Sequence, residues 1–256
     1  MTYAFRIFHA ALALVIGILL ILFVLEPARL LPGRAARSVR AFTMTGWARW
    51  MLVALGLERK VEGGETRGSR LYVANHISWV DILVLMATQK GVFVAKSELE
   101  TWPLIGWMCR RTGTLFLRRG SACALGEKIA TISRKLIDQE SVICFPEGTT
   151  TGGDTVRIFY PGLFQAAIDA GVVVQPIALS YLESGFPSRA VPFIGSDDFL
   201  SHFRRMLKAR KVTAQISFLP IVYPELKDRR EIAQVARSLI CDKIAGLNTS
   251  QIESIA

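Results

Sequence analysis

Residues 7–25 carry no charged side chain: IFHAALALVIGILLILFVL. A helix rises about 1.5 Å per residue, so a stretch of this length roughly spans a hydrocarbon core. The chain must therefore pack an apolar rod away from water or place it in lipid. A cleaved secretory signal would need a basic start, a shorter apolar run and a small-x-small cleavage site. Here the run is long and leads into Glu26, Pro27 and Arg29, so it reads as a retained anchor. Arg29, Arg34, Arg37 and Arg40 behind it outweigh the single Arg6 ahead of it. That asymmetry puts the rest of the chain on the cytoplasmic side of the inner (cytoplasmic) membrane. A second stretch, 35–56, mixes arginines with Val39, Phe42, Met44, Trp47, Trp50, Met51 and Leu52 at helical spacing. It fits either a helix in the membrane interface or an ordinary core helix. The two stretches also suit a hairpin lying shallowly in one leaflet.

Composition agrees with a membrane surface. The 256 residues suffice for one large domain plus an anchor. Mean hydropathy of +0.36 is high for a soluble chain. The net charge of +10 points to acidic partners. A long basic run, zinc-finger spacing and a nucleic-acid reading module are all missing, so no nucleic acid is expected. Arginines beside an apolar segment fit anionic headgroups. Cys109, Cys123, Cys144 and Cys241 form no CxxC pair and read as small buried hydrophobes. His9, His76 and His202 are far apart and suggest no metal site.

Beyond about residue 61, short apolar strands alternate with helical stretches. Strands are expected at 70–74 (RLYVA), 91–95 (GVFVA), 114–117 (TLFL), 141–145 (SVICF), 172–179 (VVVQPIAL) and 213–219 (TAQISFL). Helices are expected at 79–88, 125–139, 163–170 and 228–245. This alternation predicts an α/β fold with a mostly parallel central sheet flanked by helices, preceded by the membrane-anchoring helical segment. The division expected is 1–58 for the anchoring helices and 59–256 for the globular domain. Ligands of such sheets bind beyond the carboxyl ends of the strands, and polar motifs follow apolar strands four times.

Asn75-His76-Ile77-Ser78-Trp79-Val80-Asp81 follows the first of these strands. A histidine can take a proton from an alcohol as a new bond forms, and a carboxylate can hold its other ring nitrogen. Five residues apart, His76 and Asp81 meet only if His76 lies on the turn and the helix begins near Ser78. The competing reading is a capping box, with Ser78 as N-cap and Asp81 at the third helical position. Phe145-Pro146-Glu147-Gly148-Thr149-Thr150 offers backbone and hydroxyl groups to a polar substrate, or is simply a turn. Arg118, ending TLFLR, and Lys96, ending GVFVAK, are candidate cations for a phosphate, against the commoner solvated arginine or lysine. Pro176 inside an apolar run signals a sheet edge or a shaped wall.

Taken together, these blocks resemble the glycerolipid acyltransferase family that includes bacterial 1-acylglycerol-3-phosphate acyltransferases. The resemblance covers about 71–179 and rests most on Asn75-His76…Asp81 with Phe145-Pro146-Glu147-Gly148-Thr149. It implies His76 as general base with Asp81 orienting it, and Arg118, Glu147, Gly148 and Thr149 near the acceptor's head, assisted by Lys96. It also implies no cofactor, no metal and no covalent acyl-enzyme; the GxSxG elbow of a serine hydrolase is missing. The implied partners are a membrane lipid acceptor and an acyl-ACP or acyl-CoA thioester donor. The expected acceptor is lysophosphatidate, giving phosphatidate. Two departures point elsewhere: Thr150 stands where many lysophosphatidate enzymes carry arginine, and Leu117 stands where an acidic residue is frequent. The missing arginine removes a phosphate contact and raises lyso-ornithine lipid, or another lysophospholipid, as the alternative acceptor. A non-catalytic lipid-binding tether is the alternative from outside enzymology, and the intact His76 and Asp81 argue against it.

Overall fold

The computed structural model describes residues 2–64, 68–117, 122–225 and 228–253. In chain order the strands are β1 (Leu57–Glu62), β2 (Leu71–Ala74), β3 (Val92–Lys96), β4 (Leu115–Leu117), β5 (Val142–Cys144), β6 (Val174–Glu183), β7 (Phe186–Pro187) and β8 (Val212–Phe218). The helices are α1 (Tyr3–Leu20), α2 (Glu26–Ala28), α3 (Gly33–Leu55), α4 (Val80–Met86), α5 (Pro103–Arg111), α6 (Ala122–Ile137), α7 (Gln165–Ala170), α8 (Phe199–Lys208) and α9 (Arg229–Glu253). The strands form one sheet in the order β1-β8-β6-β2-β5-β3-β4, with β7 folded back on β6. From β6 to β4 all neighbours run parallel. β8 is antiparallel to β6 and carries β1 parallel to itself.

Alternation along the strands divides the core. Tyr72 and Ala74 face a layer that includes Leu52 and Leu55 of α3, Val84 and Leu85 of α4 and Met206 of α8. Leu71 and Val73 face Ile132 and Leu136 of α6, Ala166 of α7 and Ile240 of α9. Both faces of the central strands are covered, which is why β2 and β5 are apolar throughout.

The apolar stretch forms one helical rod, α1 running through a π-turn (Ile21–Leu25) into α2. Within Tyr3–Ala28 an 18-residue window reaches a mean hydropathy of 2.9, and the helix is long and apolar enough to cross a membrane by length and composition. It does not project from the domain. After the turn at 29–32, α3 packs back along it. The Trp47 indole N–H donates to the Ala13 carbonyl at 2.7 Å, and a side chain at Gly17 would meet that indole nitrogen at 2.7 Å. Near the start of α1, buried Arg6 donates to the carbonyls of Leu207 (3.3 Å) and Ala209 (2.6 Å), closing the C-terminal end of α8. At the other end of the rod, Ile21 and Leu25 pack with Met44 against Trp107 and Met108 of α5. The outer face stays apolar and exposed, notably at Phe8, Val15 and Phe23. α3 stops at Gly56, whose left-handed φ of 74° lets its N–H close the last turn. Its inner face (Ala48, Leu52, Leu55) is core, while Phe42 is 83 % exposed. The two readings of 35–56 therefore describe two faces of one helix.

Three features depart from expectation. β1 straddles the boundary drawn at 58–59, and α3 shares the sheet's core. Helices α5 and α8 stand where no element was expected. Pro176, expected at a sheet edge or in a shaped wall, lies in the interior strand β6. The β6–β8 ladder begins only at Ile177, paired with Phe218, and beyond it the Pro176 carbonyl accepts from Leu219. The position lies at the end of the ladder, where a missing N–H is tolerated.

The Gly17–Trp47 approach is tested by Gly17→Leu. Overpacking there should cost about 1–3 kcal/mol, read as a lower midpoint in thermal unfolding of the full chain in detergent. An unchanged midpoint would contradict the close contact.

Candidate active site

Where β2 ends, its ladder to β6 is continued by a side chain. The Asn75 amide donates to the Leu179 carbonyl (3.0 Å) and accepts from the Leu179 N–H (2.8 Å). This fixes the exit angle of the next residue, His76. The main chain of His76 is gripped on both sides: its N–H donates to Glu147 Oε1 (2.7 Å), and its carbonyl accepts from Thr151 N (2.8 Å). Its ring stacks on Phe145, centroids 4.1 Å apart and planes 16° apart.

Helix α4 begins at Val80, so His76 sits on the turn and Asp81 in the first helical turn. The side chains meet, His76 Nδ1 to Asp81 Oδ2 at 2.7 Å. The same oxygen accepts from the N–H groups of Ile77 (2.7 Å) and Ser78 (2.9 Å). The other, Oδ1, accepts from the Tyr181 hydroxyl at 2.6 Å. Asp81 is fully buried. The capping reading and the catalytic reading share one carboxylate: Asp81 reaches back to the Ser78 N–H as a capping box requires, while the Ser78 hydroxyl makes no hydrogen bond. With Nδ1 donating to the carboxylate, the Nε2 lone pair is left to accept a proton.

The remaining expected residues lie along the same edge of the sheet. Gly148 and Thr149 follow β5, next to β2, and Lys96 ends β3, the strand after that. Lys96 is exposed. Gly148 has φ +65°, the left-handed turn conformation that favours glycine, beside the Tyr160 ring. Arg118 lies outside the described residues. Glu147, expected against the substrate, is instead committed to the main chain. It is 3 % exposed, and its second oxygen accepts from Arg157 N at 2.7 Å. It thus ties the His76 turn to the segment around 157, which Arg237 of α9 also holds through the Val156 and Arg157 carbonyls. Burial pushes its carboxyl above the ordinary range, partly offset by these two N–H donors. The Thr150 hydroxyl is turned inward onto the Phe193 carbonyl, so this position brings no cation to the head site.

Tyr181 and Thr151 carry no motif signal, since a tyrosine within an apolar strand and a threonine in a turn are ordinary. The signal for Tyr181 is its phenol, which needs a partner once buried. Burial, then the Asp81 charge, raise the Tyr181 hydroxyl well above its usual value, so it remains a donor. His202 is structural: its Nδ1 accepts from Trp79 Nε1 (2.9 Å), its Nε2 donates to the Val191 carbonyl (2.9 Å), and burial lowers its pKa. Among the described residues Cys109, Cys144 and Cys241 are free, and burial lifts the Cys144 thiol to about 12. No group of three or more His, Cys, Asp or Glu among them is placed to hold a metal.

The site thus holds an imidazole oriented by a buried carboxylate at the carboxyl edge of a parallel sheet. Among the described residues no serine or cysteine side chain is hydrogen-bonded to His76. Residues 58–180 match the acyltransferase family model. A lyso-ornithine lipid O-acyltransferase of Pseudomonas aeruginosa is 38 % identical over 214 residues, 82 % of this chain and 81 % of that protein. A 1-acyl-sn-glycerol-3-phosphate acyltransferase of Neisseria gonorrhoeae is 29 % identical over 208 residues, 79 % of this chain and 82 % of that one. The fold is similar to that of a 1-acyl-sn-glycerophosphate acyltransferase from Thermotoga maritima, with a TM-score of 0.65 over 95 % of this chain and 98 % of that chain at 22 % identity. The chain belongs to the acyltransferase family and is an acyltransferase.

Two variants separate positioning from binding. Glu147→Gln sets an amide NH2 against a backbone N–H and should lower turnover about 10- to 100-fold with little change in acceptor KM, because it loosens His76. A rise in KM alone would return Glu147 to the substrate. Tyr181→Phe should lower kcat about tenfold at constant KM through the lost bond to Asp81. The sign of its pH effect also follows. The folded hydroxyl keeps its proton to higher pH than unfolded tyrosines, so wild-type stability falls above about pH 10, and the variant should lose that component in pH-dependent melts.

Proposed function

We propose that this acyltransferase moves a fatty acyl group from an acyl-ACP or acyl-CoA thioester onto the free hydroxyl of a lysolipid. The observation that carries this is the contact of His76 Nδ1 with buried Asp81, which leaves Nε2 to act as base. The acceptor oxygen attacks the thioester carbonyl carbon while His76 Nε2 takes the hydroxyl proton. The tetrahedral intermediate collapses, the C–S bond breaks, and His76 returns the proton to the departing thiolate. The products are an ester and a free thiol. Asp81 holds the ring and stabilises the imidazolium that forms. On this reading neither metal nor cofactor takes part.

For the acceptor we favour lyso-ornithine lipid. Thr150 faces Phe193 rather than the head site, and a headgroup derived from ornithine carries an ammonium where lysophosphatidate carries a phosphate. The Pseudomonas aeruginosa relative bears that name at 38 % identity. Lysophosphatidate is the second reading, supported by the Neisseria gonorrhoeae relative.

The anchor suits such an acceptor. Because α1 touches α8 near its start and the π-turn that continues it touches α5, the rod lies along the domain. A monotopic seat follows, with the exposed Phe8–Val15–Phe23 face in one leaflet. The cytoplasmic leaflet of the inner membrane is the surface that the arginine asymmetry favours.

A transfer assay tests the reading: one acyl thioester, with lyso-ornithine lipid and lysophosphatidate offered in parallel. His76→Ala should lower turnover by about 100- to 10,000-fold while the protein stays folded. Near-normal turnover in that variant would refute the base assignment. Acylation of lysophosphatidate alone would transfer the acceptor to the second reading.

A further inference from the structure

A cavity of about 510 Å³ opens at the edge of the sheet opposite His76. Gly91, just before β3, and Ser141, just before β5, lie in its wall. Arg34, Arg37 and Arg40 recur every three residues on α3, which places them on one helical stripe, and all three line the cavity with Lys90. Glu140 is the one carboxylate lining it among the described residues, and it is already engaged by Arg40 and Lys135. Arg34, Arg37 and Lys90 have no acidic partner among the described residues. Crowding has a measurable sign: burial, then the charge of Arg37, lowers the Arg40 pKa, and burial, then Arg40, lowers that of Lys135.

A second observation points to a missing ligand. Gln89 lines the same cavity, is only 4 % exposed, and its amide oxygen has no hydrogen-bond partner. Buried polar groups are normally satisfied, and this oxygen only accepts, so it suits a hydroxyl of a headgroup and leaves the phosphate to the cations. Met44, Met86 and Phe93 add apolar side chains to a lining that also carries Ser38, Thr45 and Thr114. Beside it, Leu30 is 90 % and Phe42 83 % exposed on the same helical hairpin. The cavity therefore combines Arg34, Arg37, Arg40 and Lys90 with an unpaired amide oxygen and three apolar side chains.

We infer that this cavity is a second lipid site, which holds the phosphate headgroup of an anionic phospholipid against Arg34, Arg37 and Lys90. α3 runs from this cavity to the start of β1, which lies on the His76 edge because β1 opposes the parallel strands. One hairpin thus presents both sites to the same membrane surface. The lipid held here is a ligand and not the acceptor, so the inference stands whichever acceptor is used.

The test is thermal unfolding of the full chain in neutral detergent, titrated separately with dihexanoyl phosphatidylglycerol, dihexanoyl phosphatidylcholine and inorganic phosphate. A ligand that binds only the folded state raises the midpoint. Phosphatidylglycerol should do so at lower concentration than inorganic phosphate, and phosphatidylcholine should not. R37Q/K90Q keeps the Arg40–Glu140 pair and should weaken phosphatidylglycerol binding by about tenfold or more, while acyl transfer in neutral detergent is unchanged. Lys90→Gln alone should give part of the same loss. Unaltered phosphatidylglycerol affinity in the variants would overturn the site. Inorganic phosphate binding as tightly as phosphatidylglycerol would overturn its assignment to a lipid.

Discussion

One carboxylate organises the centre of this protein. Asp81 gathers the imidazole of His76, two consecutive backbone N–H groups and the phenol of Tyr181. Each contact solves a different problem. The two N–H groups belong to the unsatisfied start of α4, which any helix must cap. The phenol comes from β6 and ties that strand's far end to the helix. The imidazole is the group proposed as the base. Because capping, sheet-to-helix packing and orientation of the base use the same group, the turn from β2 into α4 cannot relax without losing all three. Glu147 repeats the device one strand over, joining the His76 N–H to the Arg157 N–H.

The sheet explains why these groups converge. Five strands run parallel from β6 to β4, so every loop that leaves them emerges on one edge. β8 and β1 run the other way and contribute width rather than site residues. The opposite edge, where β3 and β5 begin, collects the arginines of α3 and the unpaired Gln89 amide. The two edges differ in character because polarity of the chain, rather than any local composition, decides which loops open where.

How much of this is legible in the sequence depends on what kind of signal each part leaves. Among the expected strands, β2 and β5 are apolar runs because burial on both faces demands that. β1 leaves no such run: four of the six residues of LERKVE are charged, as suits a strand at the edge of the sheet. α5 and α8 are short and rich in arginine, so their apolar stripes are narrow. His76 and Asp81 are legible because their spacing makes chemical sense only across a turn. Tyr181 is not, since its partner lies 100 residues away in the chain. The role expected for Glu147 as a substrate ligand fails for a similar reason: a glutamate after a strand looks the same whether it faces a ligand or a buried amide. Pro176 misleads because edge and ladder end are alike in sequence.

The anchor is the feature with the longest reach. Arg6 closes the end of α8, and His202 within α8 holds Trp79, the residue that precedes α4 and Asp81. No flexible tether intervenes between the lipid-facing rod and the base. The depth of His76 relative to the hydrocarbon is therefore a constant of the fold. On the proposed function, an acceptor reaches His76 only if the distance from its acyl chain to its hydroxyl matches that depth. On that reading, choice among lysolipids is partly a matter of ruler length, and not only of which side chains greet the headgroup.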